Sequence, residues 1–178
     1  MKKFQLFNWI LFAFFALQFS ACEDQASITE IPGTGGDPTE IGDGEFVAII
    51  EGAGFESDSV SAVISLDNVL ELVGINTASG ESIILRLQDP SAGIFDITAG
   101  MGNQNVGIYI DGVDPIDPFT TEFDLGGSGE LTITNINTTL MTVSGTYYFN
   151  GVRSVVDGSG NTITEIIEIE SGALVKFL

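Results

Sequence analysis

The chain has 178 residues, with 25 acidic residues against five basic ones, no histidine and one cysteine. A formal charge of −20 argues against nucleic acid, because five bases cannot form the cationic patch that releases counterions from phosphates. The missing histidine removes the usual general base, the Ser-His-Asp arrangement and most zinc sites, and a single thiol allows no intramolecular disulfide.

Lys2 and Lys3 precede an apolar run from Phe4 to Leu17, interrupted early by Gln5 and Asn8. Its unbroken part, Trp9 to Leu17, is far shorter than the roughly 20 residues that span a bilayer, so a transmembrane helix is the poorer reading. Phe19-Ser20-Ala21-Cys22 then places small residues before a thiol at the length where secretory signals are cut. The arrangement resembles a bacterial lipoprotein signal. That resemblance implies that residues 1–21 are removed and that Cys22 is lipidated and leads the mature chain. A plain secretory signal cut elsewhere is the alternative, and Phe19 departs from the smaller aliphatic residue usual three places before the cysteine.

Of the bases, only Arg86, Arg153 and Lys176 lie beyond Cys22, so 3 bases against 25 acids give a charge of −22 after the signal. This opposes electrostatic docking on anionic lipid and leaves acyl chains on Cys22 as the expected membrane link. Solubility and self-repulsion are the plain account of the charge, and attraction of Ca²⁺ the sharper one. Glu23 and Asp24 resemble the signal that sends some bacterial lipoproteins to the outer face of the outer membrane. The expected location is therefore the outer membrane, lipid-anchored and surface-exposed, with the periplasmic face as the alternative.

Residues 22–44 contain Pro32, Pro38 and five glycines among polar residues, a composition that buries no core and reads as a flexible tether. From residue 45 to 178 short apolar runs alternate with Gly, Asn, Asp and Ser, without helical periodicity. Strands are predicted over Phe46–Glu51, Val60–Leu66, Val69–Ile75, Ser82–Leu87, Ile94–Thr98, Val106–Ile110, Thr120–Phe123, Glu130–Ile136, Met141–Phe149, Thr162–Glu170 and Ala173–Phe177. Turn signals include Asp67-Asn68, Ser79-Gly80, Gly126-Gly127-Ser128-Gly129, Asp157-Gly158-Ser159-Gly160 and Ser171-Gly172. About ten strands at such spacing predict an all-β domain, one antiparallel β-sandwich or partly closed β-barrel. Consecutive apolar residues in Val47-Ala48-Ile49-Ile50 and Ile83-Ile84-Leu85 predict strands covered on both faces. In Thr162–Glu170 the alternation is spoiled by Glu165 and Ile166, so a bulge or an edge position is expected there.

Three segments follow a distinctive order: Gly129-Glu-Leu-Thr-Ile-Thr, Val143-Ser-Gly-Thr-Tyr-Tyr-Phe149 and Ile167-Glu-Ile-Glu-Ser-Gly-Ala-Leu-Val175. They resemble the C-terminal half of a family of small all-β Bacteroidetes lipoproteins, a domain of unknown function with a final hairpin. The resemblance spans most of residues 46–178 and is most specific at Ser144-Gly145-Thr146. It implies a β-domain and supplies no catalytic residue.

Among candidate sites, Asp111, Asp114 and Asp117 set three carboxylates at spacing three on a turn-forming loop, the hard-oxygen chemistry that suits Ca²⁺; the same residues are also ordinary turn formers. Asp157, Ser159, Asn161 and Glu168 mimic an EF-hand spacing, but Thr162 stands where the sharp turn needs glycine. Tyr148 is the best exposed aromatic platform for a ligand such as a sugar. Asp58-Ser59-Val60 resembles an O-glycosylation sequon with Ser59 as acceptor, and Asn137-Thr-Thr139 matches the N-glycosylation pattern. No cofactor and no catalytic residue is expected. The expected function is a non-enzymatic envelope module, binding an envelope protein or glycan through its loops. A carrier holding a small apolar ligand inside a barrel is the alternative, and a carboxylate-based glycan hydrolase the second.

Overall fold

A computed structural model describes residues 45–100, 102–140 and 142–177. Among these residues eleven strands form one sheet, and every strand pairing is antiparallel. In chain order they are β1 (Phe46–Ile50), β2 (Ala53–Glu56), β3 (Ser59–Ile64), β4 (Val69–Ile75), β5 (Glu81–Gln88), β6 (Gly93–Asp96), β7 (Val106–Asp111), β8 (Phe119–Thr120), β9 (Ser128–Asn137), β10 (Thr142–Val156) and β11 (Thr162–Phe177). A single 3-10 turn, Phe123–Leu125, follows β8.

The sheet runs β2-β1-β11-β10-β8-β7-β5-β4-β3 and curls into a half-barrel, with β9 on the first half of β10 and β6 on β9. The two ends of this path are neighbours in the chain, separated only by Ser57 and Asp58. The Ser57 N–H donates to the Phe46 carbonyl of β1 at 3.0 Å, and the Asp58 N–H donates to the Ile75 carbonyl of β4 at 2.9 Å. One run from Ala53 to Ile64 thus bonds first to one end of the sheet and then to the other, and β2 and β3, each paired on one side only, are the edge strands at those two ends.

Alternation places Phe46, Leu70, Leu72, Ile83, Leu85, Leu131, Ile133 and Phe149 in one continuous core at 1% exposure or less. Their neighbours Val47, Ile49 and Ile84, on the opposite face, are half-buried, short of the full covering on both faces expected of β1 and β5. Thr121 is fully buried and polar. Its hydroxyl donates to the Ile97 carbonyl and accepts from the Gly107 N–H at 3.0 Å, tying β7 to the segment after β6.

The aromatic rings of the core lie against glycines of other strands, some paired with their own and some across the curl. A Cβ on Gly74 would meet Cδ1 of Phe46 at 2.6 Å, one on Gly107 would meet Cδ1 of Phe149 at 3.1 Å, and one on Gly151 would meet Cβ of Phe119 at 2.9 Å. Gly129 is covered by Phe149, and Gly172 by the ring of Tyr147. Only a residue without a side chain leaves room for a ring to lie on the backbone.

These glycines explain most departures from the predicted strands. The predicted strand Met141–Phe149 meets, from Thr142 on, the first part of β10, which continues through Gly151 to Val156; Met141 lies outside the described residues. Thr162–Glu170 and Ala173–Phe177 are not a hairpin but one strand, with Ser171-Gly172 inside it. The register shows no irregularity at Glu165 or Ile166, but these residues pair with β10 on one side only, which is the edge position expected as the alternative. The bulge lies instead at Glu170, where β11 gains a residue on both its partners, between Tyr147 and Phe149 of β10 and between Ile49 and Ile50 of β1. A second bulge puts Thr134 of β9 outside the register opposite Ser144 and Gly145. Its hydroxyl donates to the Ser144 carbonyl at 3.1 Å, and a Cβ on Gly145 would run into the Thr132 carbonyl oxygen. That bulge is the physical reason for the Ser144-Gly145-Thr146 motif. β2 was not predicted, being four residues with a glycine, and Thr120–Phe123 is strand only over Phe119–Thr120.

Candidate functional site

Arg153 sits on β10 with its guanidinium 4.1 Å above the centre of the Phe119 ring. Its Nε donates to Glu165 across the strand pair at 2.8 Å, and its Nη1 donates to Asp111 at 3.0 Å and to the Asp117 carbonyl at 3.3 Å. Glu165 therefore breaks the apolar alternation of β11 in order to face this cation. Burial opposes the charge on Arg153, but the Glu165 hydrogen bond and the Asp111 carboxylate raise its pKa above the ordinary value.

The loop after β7 is built by its own aspartates. Asp111 Oδ1 accepts from the Asp114 and Val113 N–H groups at 2.9 and 3.0 Å, and Asp114 accepts from the Ile116 N–H at 3.3 Å. The Asp114 N–H, then the Val113 N–H and Arg153, hold the Asp111 carboxyl below its ordinary value. Of Asp117, the backbone carbonyl and not the carboxylate reaches Arg153. Asp111, Asp114 and Asp117 are thus close in the chain but engaged separately. Among the described residues no three His, Cys, Asp or Glu side chains gather where a metal ion could be held.

Beside this loop Tyr109 is buried and donates its hydroxyl to Glu81 at 2.6 Å; burial, then Glu81, push its pKa well above the ordinary phenol value. Asp157 closes the β10–β11 turn, accepting from the Ser159 and Asn161 N–H groups at 2.8 Å each, while Glu168 lies along β11. The EF-hand-like spacing is a turn followed by a strand. Ser59 opens β3 and is exposed. Its neighbour Asp58 accepts from the Thr77 hydroxyl at 2.5 Å and the Thr77 N–H at 3.1 Å, which lowers its pKa and fastens the β4–β5 turn. Asn137 likewise accepts from the Thr139 and Leu140 N–H groups. Cys22, the signal segment and the tether lie outside the described residues.

Tyr148 is on the outer face of β10, with 51% of its surface exposed. It stands directly across from Glu130 of β9, and beside it Thr146 stands across from Thr132. On the other side lies the β11 bulge, so Glu170, Ser171 and Gly172 complete a cleft of about 280 Å³. The cleft lies on the sheet face and not on the loops, where binding was expected. Ser171 is 7% exposed. Sequence reasoning found Tyr148 by its place in the alternation but not the cleft, because the bulge that forms it carries no turn or charge signature. A wider groove of about 470 Å³ runs over β3, β4 and β5 past Val63, Val69 and Gln88, and is crossed by the exposed Arg86–Glu71 ion pair at 2.6 Å.

No curated protein and no solved structure matches the chain. The model of one protein family, described as Domain of unknown function (DUF6252), matches residues 43–177, which is the whole strand-rich region just described, and the chain therefore belongs to that family.

Proposed function

We propose that this chain is a lipid-anchored, non-enzymatic module of the bacterial cell envelope. Acyl chains on Cys22 hold it at the outer membrane, and a packed β-domain is presented at the cell surface to a partner. The observation that carries this reading is the order Lys2-Lys3, apolar run, Ser20-Ala21-Cys22, polar Gly/Pro-rich segment, folded domain. The resemblance of the segments from Gly129 to Val175 to small Bacteroidetes lipoproteins supports it.

The fold agrees with a binding or structural role. The carboxylates of Asp58, Asp111 and Asp157 accept backbone N–H groups and shape turns. The inside of the curl is filled by the core side chains, which leaves the apolar-ligand carrier without supporting evidence.

The test is metabolic labelling with an alkyne fatty acid in a lipoprotein-processing bacterium, followed by mass spectrometry of the N-terminal peptide. The wild-type chain should take the label at Cys22 and fractionate with membranes, while Cys22→Ala should be unlabelled and soluble. An unmodified Cys22 peptide recovered from the wild-type membrane fraction would refute the anchor. Survival of the domain during protease treatment of intact cells would refute surface display.

A further inference from the structure

We propose that the cleft over Tyr148 binds an uncharged saccharide unit and rejects acidic glycans. The inference rests on reading the domain as a binding module, but not on the anchor. Several polar side chains elsewhere on the domain shape its turns. Asp58, Asp111, Asp114, Asp157, Asn76, Asn103 and Asn137 all bond to nearby backbone groups. Glu130, Thr132, Thr146, Tyr148, Glu170 and Ser171 line the cleft, and their side chains have no hydrogen-bond partner among the described residues.

The chemistry of this lining suits a sugar ring. The exposed face of Tyr148 offers the C–H side of a pyranose a flat apolar surface. Glu130 stands beside it on β9 and Glu170 on β11, so carboxylate acceptors flank the platform on both sides to take hydroxyl donors. Threonine and serine hydroxyls both donate and accept, which matches the mixed demand of a sugar edge. The volume of about 280 Å³ lies just below the ~300–1,000 Å³ of pockets that enclose drug-sized ligands, so the cleft has room for a single ring unit.

Two alternatives fit less well. An extended peptide would need free backbone groups at a sheet edge, but the floor here is β10, paired on one side with β9 and on the other with β11. A uronic acid or sialic acid would bring its carboxylate between Glu130 and Glu170, in a protein that is already strongly negative.

The full chain, in a zwitterionic detergent without sugar groups, is titrated with neutral hexasaccharides of glucose, mannose, xylose and N-acetylglucosamine. An oligogalacturonate and an uncharged hexapeptide complete the panel, and binding is read by saturation-transfer NMR and calorimetry. At least one neutral sugar should saturate with a Kd near 1 mM. Tyr148→Ala should weaken it at least tenfold with an unchanged circular dichroism spectrum, while Tyr148→Phe should retain it. Oligogalacturonate should bind only when Glu130→Gln and Glu170→Gln are combined, an effect that a purely structural role for these residues would not produce. The proposal is overturned if no neutral sugar saturates by 50 mM, if Tyr148→Ala binds like wild type, or if the peptide binds in place of the sugars. Such a failure would leave Cys22 labelling untouched, and loss of the label would leave the sugar titration untouched.

Discussion

Replacing Gly172 by alanine adds one methyl group at a point where the fold has no space for it. The new Cβ would meet Cε1 of Tyr147 at 2.5 Å, with two other ring atoms closer still, against the 3.4 Å at which ordinary contact begins. The deficit is about 0.9 Å, and a flexible end cannot absorb it because the obstacle is a rigid ring. Tyr147 is 2% exposed, stacks 6.5 Å from Phe149, lies 5.2 Å from Phe46, and donates its hydroxyl to the Val47 carbonyl at 3.1 Å. Overpacking of this kind costs about 1–3 kcal/mol, and a strained or lost Tyr147 hydroxyl bond adds about 1–2 kcal/mol. Against this, alanine gains about 0.5–1 kcal/mol over glycine in a strand, so the expected net loss is about 1–4 kcal/mol. Urea unfolding followed by far-ultraviolet circular dichroism measures it. Gly54→Ala, where a Cβ meets nothing within 4 Å, is the control and should be neutral or slightly stabilising. A double-mutant cycle with Tyr147→Leu should remove most of the Gly172→Ala cost. The ring-seat reasoning fails if Gly172→Ala unfolds within 0.5 kcal/mol of wild type, or if the two changes are additive.

Arg153→Met keeps the stem over Phe119 and removes the charge that Asp111 and Glu165 share. The guanidinium side chain is 15% exposed and Glu165 41%, so the expected loss is about 1–3 kcal/mol, below that of a fully buried pair. Protease should then cut faster between 111 and 118, and unchanged stability with unchanged cleavage would refute the staple. Acid should act through Asp58, Asp111 and Asp157, whose folded pKa values are lowered by Thr77, by the Asp114 N–H and by the Asn161 N–H respectively. Lowered folded values mean that this stabilisation is complete above the ordinary value of 3.8 and is lost as the pH falls through the folded values. Unfolding free energy should therefore drop below about pH 4, and Asp58→Asn should make that drop shallower. An acid limb as steep in Asp58→Asn as in wild type would count against the Thr77 contact.

Much of the fold is legible because apolar alternation and turn residues coincide at most strand ends. The segments Val69–Ile75, Val106–Ile110 and Glu130–Ile136 correspond closely to β4, β7 and β9. The illegible part comes from glycine having two uses. Gly80 and Gly160 have positive φ and end strands, as glycine in a turn should. Gly151 and Gly172 lie inside strands, because Phe119 and Tyr147 need a bare backbone beneath them. A single sequence shows the glycine but not the ring above it, so β10 was cut short and β11 was divided. The cleft was hidden for the same reason: Tyr148 is visible in the alternation, whereas the Glu170 bulge is a property of register between strands. Glu165 is a further case, a charge in an apolar row whose reason, Arg153, lies across the strand pair.

The placement of β1 also determines how the domain would bear mechanical load. A pull entering at residue 45 reaches β1 first, and β1 is an interior strand, held by β11 on one side and β2 on the other. Force along such a strand loads the pairings on both flanks together in shear, instead of peeling them one at a time from an edge. Lifetime under tension is set by an unfolding rate and not by the equilibrium free energy. Among the described residues, the point where the polar leader joins the fold is therefore clamped on both sides against extraction.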